Sequence, residues 1–66
     1  MTFGEQIKKL REDACLSRVE FAKKAKLDTS HVWRLESGES RPRVATLVRI
    51  AEALGVAPSV LLDSLQ

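Results

Sequence analysis

Leu16-Ser17-Arg18-Val19-Glu20-Phe21-Ala22-Lys23-Lys24-Ala25-Lys26-Leu27-Asp28-Thr29-Ser30-His31-Val32-Trp33-Arg34-Leu35-Glu36-Ser37-Gly38 decides the fold. Ser17 and Glu20 form a Ser-x-x-Glu capping box, and Leu16 and Phe21 have the spacing of a hydrophobic staple around it. A helix therefore starts after Ser17 and, on its apolar face of Phe21, Ala22 and Ala25, runs over 18–25. Lys26, Leu27 and Asp28 make the turn. Asp28 is placed to accept from the free amides of the next helix, and Leu27 with Val32 repeats the staple. That helix covers 29–37, with Val32, Leu35 and part of Glu36 inward, and Gly38 sits where a left-handed C-terminal cap belongs. Two short helices joined by so tight a turn form a helix-turn-helix by spacing.

Working outward, Thr2 and Glu5 make another capping box. Phe3, Ile7, Leu10 and Ala14 then mark one face of a helix over 3–14. After Gly38, a loop holding Pro42 leads to a helix over 44–54, with Val44, Leu47, Ile50, Ala51 and Leu54 inward and Gly55 at its end. Pro58 suits the first position of a last helix over 58–65. No stretch alternates apolar and polar residues as a strand would. The expectation is an all-α, single-domain chain over 1–66, five short helices around one small core.

Composition narrows the function classes. With 66 residues, one cysteine and one histidine, a disulfide framework and a Cys- or His-cluster metal site are excluded. No apolar run is long enough to span a bilayer. Glu5, Lys8 and Lys9 interrupt the opening residues where a signal peptide needs an apolar stretch. The reading is a soluble, cytoplasmic domain with no membrane partner, cofactor, metal or small-molecule ligand. No general acid and base are paired, no glycine loop cradles phosphate, and no nucleophile neighbours the histidine, so an enzyme is not expected. Cys15 reads as an inert packed thiol.

The net charge is +2, too small to identify a partner by itself. Its distribution says more. Arg18 to Arg43 holds seven bases and four acids, whereas the rest holds four bases and five acids. The helix over 29–37 turns Thr29, Ser30, Trp33, Arg34 and Ser37 outward, and a helix presented this way fits the major groove of B-DNA. Arg34 is suited to the O6 and N7 of guanine, against the alternative of a solvated helix face. Trp33 is either a contact to a thymine methyl, sugar or phosphate, a locally packed ring, or a contact to a protein partner. Arg41 and Arg43, flanking Pro42, suit phosphate.

At these residues the chain resembles the lambdoid phage repressor and Cro class of helix-turn-helix domains, also called the Xre family. The likeness is carried by Leu16-Ser17, Phe21-Ala22, Ala25, Leu27, Val32, Arg34-Leu35-Glu36, Gly38, Pro42, Thr46-Leu47, Ile50-Ala51 and Ala53-Leu54-Gly55-Val56. It implies the five-helix lambda-repressor-like fold and sequence-specific binding of a double-stranded DNA operator by a homodimer, as a transcriptional regulator of repressor type. Base reading is then expected from Thr29, Ser30, Trp33 and Arg34. Phosphate contacts are expected from Ser17, Arg18, His31, Ser37, Arg41 and Arg43. The resemblance also implies an ion pair between Arg11 and Glu36.

The chain departs from that pattern at Lys26 and Cys15, where glycine is usual in the two turns, at Arg18 in place of glutamine, and at Arg43 and Ala57 in place of polar caps. Because the chain ends just after its last helix, pairing is expected to use the domain itself. The surplus of apolar residues places that interface at Val56, Val60, Leu62 and Leu65. The competing reading is a protein-interaction or antitoxin-type module on the same fold. Salt separates the two, since operator binding weakens steeply as salt rises.

Overall fold

A computed structural model describes residues 2–65. Five helices follow one another: α1 (Phe3–Asp13), α2 (Arg18–Ala25), α3 (Thr29–Ser37), α4 (Val44–Leu54) and α5 (Pro58–Leu65), and the described residues hold no strand. The capping residues set the starts. Thr2 Oγ1 accepts from the Glu5 amide at 3.2 Å while Glu5 returns a bond to the Thr2 amide at 2.9 Å. Ser17 and Glu20 do the same at 3.1 and 2.9 Å.

The helix ends share one device. Leu16, Leu27, Glu39 and Val56 each send their amide back five residues, to the carbonyls of Arg11, Ala22, Arg34 and Ala51, at 2.8–3.0 Å. Each closure needs a left-handed residue just before it, and these are Cys15 (φ 59), Lys26 (φ 58), Gly38 (φ 87) and Gly55 (φ 72). Three of the four closing residues, Leu16, Leu27 and Val56, drop onto the core. Cys15 and Lys26 thus take the left-handed conformation themselves where glycine is usual, at a strain of about 1 kcal/mol each.

Every helix contributes to the core. Phe3 and Ile7 come from α1, Phe21, Ala22 and Ala25 from α2, Val32 and Leu35 from α3, Leu47, Ile50 and Ala51 from α4, and Leu61 from α5. α1 packs on α3 and α5, α2 on α3 and α4, and α4 on α5. The helix-turn-helix is thus held from behind by α1 and α4.

Four expectations need correction. α1 stops at Asp13, and Ala14 is exposed beyond it. Val44 is 73% exposed, because as the first residue of α4 its side chain leans back toward the N-terminus, past the core edge. Asp28 makes no side-chain cap to α3; only its carbonyl takes part, accepting from the His31 and Val32 amides. Cys15 is exposed, since a left-handed turn residue points its side chain away from the packed helices.

Candidate nucleic-acid interface

The outer face of α3 is built on Val32 and Leu35, both fully buried. That anchorage leaves Ser30, Trp33, Arg34 and Ser37 exposed, while Thr29 and His31 are half-buried at the edges of the helix. At its C-terminal end the Arg34 carbonyl accepts from the Glu39 and Ser40 amides and from Ser37 Oγ at 3.1 Å. The Gly38 amide reaches the Leu35 carbonyl as well, at 3.4 Å, so the carbonyls of Arg34 and Leu35 are capped. The Arg34 side chain is exposed and makes no ion pair among the described residues.

Glu36 is the hub beneath this face, with only 4% of its side chain exposed. Arg11 Nε donates to Glu36 Oε2 at 2.7 Å, and Arg11 Nη1 donates to the Leu16 carbonyl at 2.8 Å. One buried guanidinium thus joins α1, the turn before α2, and α3. Arg18 Nε donates to Glu36 Oε1 at 3.0 Å. Burying a carboxylate between two guanidiniums satisfies its charge and contributes more to register than to net stability. No buried side-chain nitrogen or oxygen lacks a partner among the described residues.

The other expected anchors fall in different settings. Ser17 and Arg43 stand at the starts of α2 and α4. Arg43 is exposed and makes no side-chain cap. Ser17 keeps its hydroxyl hydrogen to donate, because its oxygen is the acceptor in the capping box. Arg18 stacks over Trp33, 3.6 Å from the ring centroid, so the first residue of α2 has local partners as well as solvent. Arg41 Nη2 donates to the Leu65 carbonyl. This places Arg41 against the end of α5, where terminal carbonyls lack helical partners.

Of the residues expected at a dimer interface, Val60 and Leu62 are each 41% exposed. Val56 and Leu65 pack partly on the chain's own core. The apolar surplus of α5 is therefore split between core and surface, with Leu61 as its fully buried residue.

Sequence reasoning overlooked two positions that shape the site. Gly4, in the first turn of α1, lies so close to the end of α3 that a Cβ would be 2.4 Å from the Glu36 carbonyl oxygen. A glycine inside a helix costs roughly 1 kcal/mol relative to alanine, which was the available signal. Gln6 spans from α1 to α5, donating to the Val60 carbonyl at 3.3 Å and accepting from Ser64 Oγ. Among the described residues no three potential ligands group to hold a metal, and no helix is long and apolar enough to cross a membrane.

Comparisons with known proteins agree with this geometry. The helix-turn-helix domain family matches residues 2–65. The immunity repressor protein of Bacillus phage phi105 is 36% identical over 61 residues, covering 92% of this chain and 42% of that protein. This chain thus spans less than half of that repressor's length. Among solved structures, the restriction-modification controller protein C.AhdI from Aeromonas hydrophila superposes with a TM-score of 0.86 at 30% identity, covering 89% of both chains. SinR, the master regulator for biofilm formation, solved in complex with DNA, gives a TM-score of 0.88 at 28% identity, covering 94% of this chain and 100% of that one.

Proposed function

The chain belongs to the helix-turn-helix domain family, and from that premise we propose that it is a sequence-specific duplex-DNA-binding transcriptional regulator of repressor type, acting in the cytoplasm. The observation that carries this reading is the outer face of α3. It is exposed, polar and basic, ends in capped carbonyls, and is braced from behind by the Arg11–Glu36 pair. Such a helix enters a major groove as a rigid unit. Arg34 is the principal reader, suited to guanine, and Thr29, Ser30 and Trp33 complete the reading set. Ser17, His31, Ser37 and Arg43 contact phosphate, while Arg18, the remaining residue expected there, is occupied by Glu36 and the Trp33 ring instead. Arg41 joins them by exchanging the Leu65 carbonyl for a phosphate oxygen.

One domain of this size buries little surface on DNA. Two copies with half-sites about 34 Å apart supply more. The exposed Val60 and Leu62 of α5 support pairing through that helix, with Val56 and Leu65 backing them from the core. Sedimentation over a concentration range, with Leu62→Asp as the control, tests this. Binding to a pool of random duplexes, with sequencing of the bound fraction at several salt concentrations, tests the function itself. A recovered two-fold symmetric sequence whose affinity falls steeply with salt is expected. Binding without sequence preference would overturn the reading.

A further inference from the structure

Trp33 is 55% exposed, and an indole on a helix surface is ordinarily free to change rotamer. Here the ring is held. The Arg18 guanidinium lies over it, 3.6 Å from the centroid, and the Nε of that guanidinium is tied to Glu36 Oε1 at 3.0 Å. Glu36 is held in turn by the buried Arg11 at 2.7 Å. A line of directional contacts therefore runs from the core to an exposed aromatic ring. Its last link is a planar stack, which fixes the plane of the indole in a way a point charge does not.

The position of that ring matters. With Ser30 at the centre of the outer face of α3, helical geometry sets Arg34 about 40° to one side and Trp33 about 60° to the other. Trp33 thus flanks the face opposite Arg34, on the side where α2 begins. Lys8, Arg18, Glu36 and Ser37 border the same shallow concavity as the indole. Arg18 spends only Nε on Glu36 and its face on the ring.

Building on the duplex-DNA reading above, we infer that Arg18 is a positioning residue for sequence readout. By clamping Trp33 it sets the exposed edge of the indole against a thymine methyl at one base step. Preference at that step therefore depends on Arg18, which touches no base. Apolar contact with the thymine methyl is the way a carbon-rich side chain reads the major groove. A phosphate anchor at Arg18 predicts something different, since it acts evenly on all sequences.

Arg18→Lys separates the two, because it keeps the charge and removes the planar group. Trp33 is the single tryptophan and the chain has no tyrosine, so intrinsic fluorescence of the free protein reports on the ring directly. In Arg18→Lys, acrylamide quenching should rise and anisotropy fall. With a randomised duplex pool, the variant should lose roughly fivefold in preference at one base step. Its salt slope and its affinity for unrelated DNA should stay unchanged. Trp33→Leu should lose the same preference at the same step, and the double variant should lose no more. An unchanged ring signal, an unchanged base preference, or an even loss across all sequences in Arg18→Lys overturns the inference. A wild-type protein with no sequence preference overturns the operator reading and this inference with it; a wild-type preference that survives Arg18→Lys overturns this inference alone.

Discussion

Gly4 and Glu36 meet backbone to backbone: a Cβ built on Gly4 would stand 2.4 Å from the Glu36 carbonyl oxygen and 2.9 Å from its carbonyl carbon. The same Glu36 sends its side chain to Arg11, on the third turn of α1. α1 therefore grips the end of α3 twice, by close approach and by charge. Gly4→Ala should destabilise the fold by about 2–3 kcal/mol through overpacking. In an unconstrained helix the same change gains about 1 kcal/mol. Urea unfolding checks the sign, and a stabilised variant would refute the close approach.

Removing the hub should cost more than removing either spoke. Glu36→Gln leaves the buried Arg11 without its counter-charge, and the expected loss is about 3–5 kcal/mol. In Arg11→Met the carboxylate keeps Arg18, so the loss should be smaller. Equal losses in urea unfolding at neutral pH would show that Arg18 does not share the carboxylate.

The two non-glycine residues at positive φ offer the opposite outcome. Lys26→Gly relieves a left-handed lysine and should stabilise by about 0.5–1 kcal/mol, the relief being reduced by the greater freedom of glycine in the unfolded chain. Cys15→Gly should behave alike. Thermal midpoints that fall in both variants would contradict the assigned turns.

The capping boxes set an acid limit. Hydrogen bonds from the Thr2 backbone, and then its side chain, hold the Glu5 carboxyl below its ordinary range; Ser17 acts in the same order on Glu20. A folded-state pKa lowered in this way contributes stability that is fully present above the unfolded value and is lost as pH falls through the folded one. Glu5→Gln and Glu20→Gln keep an acceptor for each box but do not titrate. Each should flatten the acid limb of the stability curve, measured as the urea midpoint against pH.

Readers and anchors should separate on DNA. Arg34→Ala is expected to relax the preference at one base pair, at a cost of about 1–3 kcal/mol. Arg43→Ala should weaken all sequences about equally and lower the salt slope by about one. Similar behaviour in the two variants, in titrations against matched and mismatched duplexes, would abolish the division.

The spans of α2 to α5, the turn between α2 and α3, and the outward set Ser30, Trp33, Arg34 and Ser37 were legible in the sequence because they rest on neighbours. A capping box links residues three apart and a left-handed closure links residues five apart, so their chemistry is written locally. The Arg11–Glu36 pair joins residues 25 apart. It was legible only through the family resemblance, as no local rule links them. Tertiary structure alone decided the rest. Arg18 meets Glu36 across 18 residues, Gly4 has its role only where α1 crosses the end of α3, and Arg41 finds the last carbonyl of α5. The division of Val56, Val60, Leu62 and Leu65 between core and surface is of the same kind. An apolar pattern states how many residues a helix can bury, whereas the angle at which its neighbours cross it selects which ones are buried.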